Sequence, residues 1–338
     1  MSPSTDRYAE APQLVVLKNA QGMELTVMDW GATWLSCLVP LANGQRREVL
    51  LGCPRAEDYS RQSAFLGATV GRYANRIAGA KLPYGNLTLS LLPSQGENQL
   101  HGGPDGFDKR RWEVVAHDAQ HVRFRLASPD GDQGFPGNLV AEVTYTLTDD
   151  NTVEIDMQAN TDAACPVNLT NHAYFNLDGG KGTVHAHTLQ VQADQVLPTD
   201  GMGIPYGHLQ SVTGTTFDFR APHTVGERLG QDGQQQLAKG YDHSFLLNAG
   251  ADWAARVESS DKALTMTLST SLPALQFYSG NYLGGTLSRE GGEYADYAGL
   301  ALEPQFLPDS PHHPEWPQPS CWLEPGQKFH HWIQYQFR

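Results

Sequence analysis

Hydrophobic and polar residues alternate with a period of two over long parts of the chain, a pattern that predicts β-strands. The clearest example runs through Leu139–Leu147 and again through Val153–Ala159, with the turn sequence Asp149–Asn151 between them. Such a pair is typical of an antiparallel hairpin with one buried face. Similar alternation at Val122–Leu126 and Leu264–Leu268 extends the pattern to other parts of the chain. We therefore expect an all-β protein.

Glycine and proline are frequent, with 34 and 21 residues, and they are spread along the whole sequence. Both interrupt regular structure and favour many turns over long helices. One short helix is predicted at Thr224–Leu229. No linker, repeat or low-complexity tract divides the 338 residues, and all-β folds of this length often form one domain. We expect one large β domain over residues 1–338.

The formal net charge of the chain is −14 at pH 7. An excess of acidic groups repels polyanions, which argues against a nucleic acid or an anionic membrane surface as the partner. The same repulsion disfavours a polyanionic substrate. A neutral small molecule fits this charge best, so we expect neither a nucleic-acid partner nor a membrane partner.

The four cysteines, Cys37, Cys53, Cys165 and Cys321, are widely scattered and form no Cys-x-x-Cys pair. This arrangement is typical of an intracellular protein with reduced thiols, and it lacks the spacing of metal or redox motifs. Residues 1–13 are polar, and no apolar stretch approaches the length of a membrane span. We expect a cytoplasmic protein.

Polar residues also alternate with apolar ones through Pro166–Leu177, in an otherwise apolar part of the chain. On one extended strand, His172, Tyr174 and Asn176 would share a face. Buried imidazoles and amides cost free energy unless they have hydrogen-bond partners, and several such groups lie close together here. The pattern therefore predicts a polar pocket. The alternative is a core histidine whose ring is bonded to a backbone carbonyl.

Two arginines, Arg72 and Arg76, lie among small and apolar residues within Phe65–Ala80. At least one of them is expected to brace loop carbonyls. The functional alternative is that Asn75 and Arg76 present donors to a polyhydroxylated ligand or to a developing oxyanion. His101 precedes two glycines, which give its loop unusual backbone freedom. This histidine is either a functional loop imidazole or part of a structural turn.

Two acidic residues stand in apolar surroundings. Asp242 has aromatic neighbours, and it is either a paired structural carboxylate or an acceptor for sugar hydroxyls, since the C–H faces of a sugar pack on aromatic rings. Glu303 follows an apolar strand, and Pro304 has no backbone N–H. We therefore expect strand pairing to end at Pro304 and to leave Glu303 at a strand terminus. By itself, such an acid is more typical of an edge charge.

Three histidine pairs occur, at His185 and His187, at His312–His313 and at His330–His331. Transition-metal sites normally need three or four ligands, and none of these pairs has a further ligand nearby at a suitable spacing. We interpret the pairs as surface polar residues and predict no metal site.

Four segments together resemble the motifs of the galactose mutarotase (aldose 1-epimerase) family. They are Gly71–Ile77, Asn98–Gly103, Thr170–Leu177 and Leu302–Asp309. Matching motifs follow one another in a consistent order from about Asp29 to the C-terminus, so the resemblance covers nearly the whole chain. It implies an all-β fold, a single-domain antiparallel β-sandwich in which the concave face of a sheet holds the sugar.

The resemblance also implies the chemistry of the site. It assigns Glu303 as the general base that removes the proton of the anomeric hydroxyl, and His172 as the acid that protonates the ring oxygen. The substrate-binding residues that it implies are Asn75, Arg76, His101, Tyr174, Asn176, Asp242 and Gln276. The reaction would interconvert the α and β anomers of galactose or glucose without a metal or a cofactor.

The protonation state of His172 can also be predicted. A nearby carboxylate favours the charged form of an imidazole, so His172 is expected to stay cationic closer to neutrality than an isolated histidine. Turnover should then follow a bell-shaped pH profile, with its acid limb set by Glu303 and its alkaline limb by His172.

Two other functions stay open. An epimerase for a phosphorylated hexose on the same fold would need a cationic cluster at the pocket, and Lys109–Arg111 is the candidate run. A non-catalytic sugar-binding module would need neither an acid nor a base. We expect a small-molecule hexose as the partner, and a monomer or a homodimer as the assembly.

Overall fold

Residues 11–338 are described by a computed structural model, and their regular structure is almost entirely β-strand. The predicted all-β class is therefore confirmed. The strands, in chain order, are β1 (Leu14–Lys18), β2 (Glu24–Met28), β3 (Thr33–Pro40), β4 (Arg46–Glu48), β5 (Thr69–Val70), β6 (Arg76–Ile77), β7 (Lys81–Tyr84), β8 (Leu87–Ser90), β9 (Gln99–Leu100), β10 (Glu113–His117), β11 (His121–Ser128), β12 (Leu139–Leu147), β13 (Thr152–Thr161), β14 (Cys165–Pro166), β15 (Thr170–Asn171), β16 (Tyr174–Phe175), β17 (Thr188–Val191), β18 (Gln195–Val196), β19 (Gln210–Ser211), β20 (His223–Thr224), β21 (Asp242–Leu246), β22 (Ala255–Glu258), β23 (Thr265–Thr270), β24 (Ala274–Tyr278), β25 (Leu300–Gln305), β26 (Trp322–Leu323) and β27 (Phe329–Phe337).

Helical structure in this part of the chain is short. The α-helix is α1 (Gly233–Ala238), and the 3₁₀ turns are Ala56–Arg61, Ala78–Ala80, Phe107–Lys109, Asp132–Gly134, Val184–Ala186 and Ser310–His312. The helix predicted at Thr224–Leu229 is wrong, because residues 225–230 form a series of turns after β20. Of the polar N-terminal stretch, residues 1–10 lie outside the described residues.

Three sheets make up most of the fold. A nine-stranded sheet has the order β10-β11-β12-β13-β27-β23-β22-β17-β20, a six-stranded sheet the order β16-β25-β24-β21-β18-β19, and a four-stranded sheet the order β1-β2-β3-β4. The ladders within these sheets are antiparallel. The remaining strands form two-stranded ladders, β5 with β15, β6 with β9, β7 with β8, and β14 with β26.

The hairpin predicted from the alternating pattern is confirmed. Strands β12 and β13 pair from Leu139 opposite Thr161 to Leu147 opposite Val153, and burial alternates residue by residue along β12. The buried side chains of this hairpin belong to the main apolar core. A half-buried antiparallel strand shows this alternation because successive side chains point to opposite faces.

The sheets pack against one another through large buried side chains. The Tyr335 hydroxyl on β27 donates a hydrogen bond to the Leu302 carbonyl on β25, 3.2 Å away, which connects the nine-stranded and six-stranded sheets. The ring of Trp34 on β3 lies 5.8 Å from that of Phe175 and 5.5 Å from that of Tyr335. The same core therefore joins the four-stranded sheet as well.

The six-stranded sheet has a second buried face, opposite the core. Strand β25 is buried along its whole length, with Leu300 and Leu302 in the core. Glu303 follows Leu302 and so points to the other face. Gln276 on β24 pairs directly with Glu303 and shares that face. A stretch with buried acids and amides on one face of a sheet is where a polar site can be built.

Strand pairing does not end at Pro304, contrary to the prediction. The ladder with β24 continues through Pro304 and Gln305. On its other side, β25 pairs with β16 only at Leu300 and Ala301, so no strand among residues 11–338 pairs with Pro304 there. A missing N–H costs least where there is no partner to receive it. Glu303 therefore lies within the strand and not at its terminus.

The central stretch is not the single strand that its pattern predicts. It contains three short strands, β14, β15 and β16, and His172 and Ala173 fall between the last two. Because the extended backbone is interrupted, the two-residue alternation no longer determines which side chains share a face.

Within the described residues, no helix is both long enough and apolar enough to span a bilayer.

Candidate active site

A cavity of about 560 Å³ opens above the polar face of the six-stranded sheet. The sequence-predicted residues that line it are Asn75, Arg76, His101, His172, Tyr174, Asp242 and Glu303. Its rim includes Arg61–Phe65, Gln95, Asp200–Gly203 and Tyr282. Side chains from five separate parts of the chain thus converge on one concave site, the form that small-molecule sites usually take.

Two of the predicted substrate-binding residues do not line this cavity. The side-chain amide of Asn176 is buried and donates to the Ala298 carbonyl, 2.7 Å away, which makes it part of the framework. Gln276 lies beneath Asp242, where its Nε2 donates to Asp242 Oδ1 at 2.6 Å and its Oε1 accepts from the Ser244 hydroxyl. Asn176 is misplaced by the sequence pattern because the strand carrying it is interrupted after Asn171.

The catalytic candidates, His172 and Glu303, lie side by side. Nε2 of His172 is 3.6 Å from Oε2 of Glu303, and the two side chains are only 6% and 3% exposed. The backbone of His172 is held on both sides, since its N–H donates to the Ala68 carbonyl at 2.8 Å and its carbonyl accepts from Gly67 N–H at 2.9 Å. Glu303 is held by its position within β25.

Burial determines the protonation of this pair. It lowers the pKa of His172 from 6.5 to about 4, and it raises the pKa of Glu303 well above its ordinary value. The prediction that His172 stays cationic near neutrality is therefore wrong, because the loss of solvation outweighs the attraction of the Asp242 carboxylate. Both shifts favour the neutral forms, a carboxylic acid at Glu303 and an uncharged imidazole at His172. A neutral acid beside a neutral imidazole has the same proton count as a carboxylate beside an imidazolium.

The tautomer of His101 follows from one hydrogen bond. The backbone N–H of Asn75 donates to His101 Nδ1 at 3.0 Å, so Nδ1 must carry a lone pair. Burial lowers the pKa of His101 well below its usual value, so the ring is neutral and its proton is on Nε2. His101 is thus a hydrogen-bond donor, and its ring centroid lies 5.2 Å from that of His172.

His101, His172 and Glu303 also form a candidate metal centre that the sequence pattern did not indicate. One possible ligand atom from each lies within 4.8 Å of the other two. Two histidines and a carboxylate can bind a transition metal. However, Asn75 N–H occupies Nδ1 of His101, and a metal at Nε2 would have to displace the proton of that tautomer. This hydrogen bond disfavours a metal at the trio.

Arg76 and Asp242 form a polar wall of the cavity. Nε of Arg76 donates to Gln95 Oε1 at 2.7 Å, and its Nη2 lies 3.8 Å from Asp242 Oδ2. Gln276 fixes the other oxygen of Asp242. Gln95 was missed by the sequence analysis, since a lone glutamine in a polar loop has no pattern that distinguishes it. Ser244 was missed for the same reason.

Of Arg72 and Arg76, Arg72 is the one that braces loop carbonyls. It is 2% exposed, and its guanidinium donates to the carbonyls of Ser128, Pro129 and Pro136 at 2.8 to 2.9 Å. Its Nε also donates to the Ser128 hydroxyl at 3.0 Å. These contacts brace a loop from within, whereas Arg76 faces the cavity.

The basic run Lys109–Arg111 does not line the cavity. Arg110 contacts Asp132 at 2.8 Å, and Arg111 contacts Asp29 at 2.8 Å. Lys109 donates to the Pro104 carbonyl at 2.9 Å. Because these cations are engaged elsewhere, the run does not supply the phosphate site that a hexose-phosphate epimerase would need.

Comparisons with known proteins find relatives that match nearly the whole chain. The sequence model of the aldose 1-epimerase family matches residues 13–336. The chain is 55% identical over 328 residues to the aldose 1-epimerase of Escherichia coli (strain K12), covering 96% of this chain and 95% of that protein. It is 36% identical over 321 residues to the galactose mutarotase of Bos taurus, covering 93% and 91% of the two chains.

Solved structures with the same fold include an aldose epimerase homologue from C. elegans, with a TM-score of 0.88 and 31% identity over 97% of this chain and 99% of that one. A galactose 1-epimerase from Lactobacillus acidophilus NCFM has a TM-score of 0.85 and 31% identity, over 100% and 97% of the two chains.

Proposed function

Because the chain belongs to the aldose 1-epimerase family and is a mutarotase, we propose that Glu303 and His172 carry out the two proton transfers of its reaction. The enzyme interconverts the α and β anomers of a hexopyranose. The observation that carries the assignment is the 3.6 Å contact between a buried carboxyl and a buried imidazole inside the cavity. A site that only bound sugar would need neither an acid nor a base.

Ring opening needs a base at the anomeric hydroxyl and an acid at the ring oxygen. Glu303 as carboxylate takes the proton of the hydroxyl, and the electrons of that O–H bond form the aldehyde C=O. As the C1–O5 bond breaks, His172 gives its proton to O5. Rotation about C1–C2 and the reverse steps close the ring on its other face. Each such transfer contributes roughly 10²–10⁴-fold, enough for a reaction that already proceeds in water.

Because burial favours the neutral forms of His172 and Glu303, the base has to form from a neutral pair. Sugar hydroxyls that approach Glu303 donate hydrogen bonds to its carboxylate form, and such bonds favour the charged state. The proton can then pass to His172, whose Nε2 is 3.6 Å from Glu303 Oε2. Sugar binding therefore converts the neutral pair into carboxylate and imidazolium without any net proton uptake.

The sugar is held by the other groups that line the cavity. Asp242 accepts from hydroxyls, while Arg76, Asn75 and the Nε2–H of His101 donate to oxygens. Tyr174 offers a ring on which a C–H face of the sugar packs. Gln276 lies beneath Asp242 and orients it through a hydrogen bond, and the side-chain amide of Asn176 is engaged with the Ala298 carbonyl in the framework.

Polarimetry on freshly dissolved α-galactose tests the function. We expect a rate of optical change that rises in proportion to enzyme concentration. Sugar binding without a faster approach to equilibrium would support the sugar-binding module instead. A comparison of galactose with its 6-phosphate separates the substrates, and we expect the neutral sugar to be preferred because the basic run Lys109–Arg111 does not line the cavity.

The domain organisation, the cellular location and the assembly of the protein belong to the same proposal. Residues 1–338 form one aldose 1-epimerase domain, which acts in the cytoplasm as a monomer or a homodimer on a galactose- or glucose-type hexose. Support comes from the core, which includes residues from Val15 to Phe337, and from the four cysteines, which are all free and buried. Light scattering on the purified protein would measure the assembly, and cell fractionation would test the location.

A further inference from the structure

Phe65 covers the two histidines of the cavity. Its ring stacks on His172, with centroids 5.7 Å apart and planes inclined by 26°, and it meets His101 edge to face at 4.7 Å. Phe65 itself lines the cavity. One aromatic ring therefore shields parts of both imidazoles.

The backbone of Phe65 is in a conformation that a bulky residue seldom adopts. Its φ is 58°, in the left-handed region. Strain of this kind persists only where the surrounding structure imposes it, and it is concentrated at functional sites. At Phe65 this conformation is imposed by a tight turn, in which the Phe65 carbonyl accepts a hydrogen bond from Ala68 N–H at 3.0 Å.

The turn that carries Phe65 is attached directly to His172. Gly67 N–H donates to the His172 carbonyl at 2.9 Å, and His172 N–H donates to the Ala68 carbonyl at 2.8 Å. Both peptide groups of the histidine are thus bonded to the residues that follow Phe65. The distance between ring and imidazole is set by these bonds and not by loose packing.

We propose that Phe65 is a positioning residue for the catalytic histidine, one that keeps water off the imidazole of His172 and holds its Nε2 towards Glu303. The proposal deepens the proposed function, on which it rests. Phe65 acts through His172 and takes no part in proton transfer.

Other rings and charged groups also surround His172, but among its ring contacts only Phe65 is a purely apolar ring stacked on the imidazole. The charge of Asp242 attracts a proton to the imidazole, whereas Glu303, 3.6 Å away, is favoured in its neutral form. Tyr174 packs at 5.0 Å and His101 at 5.2 Å between centroids. Near His101, Arg76 and Lys109 add positive charge, and Lys109 Nζ lies 5.9 Å from the Phe65 centroid. Against the charge of Asp242, the loss of solvation is what lowers the pKa of the imidazole, and the stacked ring of Phe65 contributes to that loss.

The test compares Phe65→Ala with Phe65→Tyr. The first admits water to one face of His172, whereas the second keeps the ring. NMR titration of the ring nitrogens should show that Phe65→Ala raises the His172 pKa from about 4 towards 6.5, by about one pH unit or more. The acid limb of kcat/KM should move up with it, and kcat should fall about tenfold with a smaller change in KM. Phe65→Tyr should restore both values.

Tyr297→Ala provides a matched control. Tyr297 is also an aromatic residue with positive φ, 64°, and its ring packs on a histidine, His185, at 5.0 Å between centroids. It does not line the cavity. This variant should leave the titration of His172 and the pH profile unchanged, although we expect it to unfold at a lower temperature because its ring packing is lost.

Two results would overturn the proposal. One is an unshifted His172 titration in folded Phe65→Ala, and the other is an equal shift in Tyr297→Ala. If Phe65→Ala does not fold, Phe65→Leu is measured against the same criterion, because it also exposes the imidazole face. The titration does not depend on turnover. Failure of the proposed catalytic roles would appear instead as normal turnover in Glu303→Gln with the His172 shift still present.

Discussion

His172 and Glu303 meet at 3.6 Å, Nε2 to Oε2, although they lie on distant parts of the chain. Each side chain is almost fully buried, and burial moves the pKa of each towards the neutral form. Both shifts favour a neutral acid beside a neutral imidazole, a pair that shares the one proton that a combined acid and base exchange. The following predictions test this arrangement and the framework around it.

Replacement of Glu303 by Gln keeps the shape of the side chain and removes the base. We expect kcat to fall by at least about 10²-fold while sugar affinity is largely retained, since general-base contributions are of this size. Polarimetry and calorimetric sugar titration measure the two quantities. Glu113→Gln, at an exposed position on β10, is the matched control and should turn over normally. Near-wild-type kcat in Glu303→Gln would remove Glu303 from the mechanism.

The same substitution should alter stability in a pH-dependent way. The pKa of Glu303 in the folded protein is raised above its ordinary value of 4.5, so its contribution to stability is complete below pH 4.5 and is lost as pH rises through the folded pKa. Glutamine does not titrate and avoids this loss. Glu303→Gln should therefore have a higher Tm than the wild type at pH 8 and a similar one at pH 4. Calorimetry at the two pH values decides, and an equal Tm difference at both would contradict the expected burial effect.

In the pH profile of kcat/KM, we expect His172 to set the acid limb and Glu303 the alkaline limb. The sequence pattern predicted the opposite assignment. The acid limb should lie near pH 4, where the pair gains a second proton on His172, and the alkaline limb at the raised pKa of Glu303. His172→Asn should lower kcat severely and remove the acid limb. His101→Asn should raise KM and reduce turnover but keep the bell shape. Loss of the acid limb in His101→Asn alone would show that the wrong histidine has been assigned.

Exhaustive chelation should leave activity unchanged. Asn75 N–H holds His101 in the tautomer that places a proton on Nε2, and this disfavours a metal at the His101, His172 and Glu303 trio. Turnover should be the same before and after dialysis against EDTA, with metal content measured by mass spectrometry. Activity that is lost on dialysis and restored by one divalent ion would contradict this prediction.

Arg72→Met should destabilise the fold without a direct effect on the chemistry. It leaves the buried carbonyls of Ser128, Pro129 and Pro136 without their donor, at a cost of about 3 kcal/mol in the free energy of unfolding. Arg125→Met is the control, because Arg125 forms a partly exposed ion pair and such pairs contribute about 1 kcal/mol or less. Urea denaturation measures both. Equal losses would show that Arg72 is not a brace.

Much of the fold follows from local patterns. The hairpin of β12 and β13 was predicted because alternation at Leu139–Leu147 records which side chains face the core, and neighbouring strands need only a turn to pair. The helix at Thr224–Leu229 was wrongly predicted because short polar segments have weak intrinsic preferences. The effect of Pro304 was wrongly predicted. A proline disrupts a sheet only where a neighbouring strand would have accepted its missing N–H, and no local sequence pattern shows whether such a strand is there.

The sequence by itself determined the all-β class, the family and the residue types of the site. Only the tertiary structure decided that His172 and Glu303 touch, that Asn176 turns into the framework, and that Phe65 covers the imidazole. It also decided the protonation of the pair. The physical reason is that solvation is a property of the folded surroundings: a carboxyl beside an imidazole favours an ion pair in water, but burial of both groups favours the neutral forms.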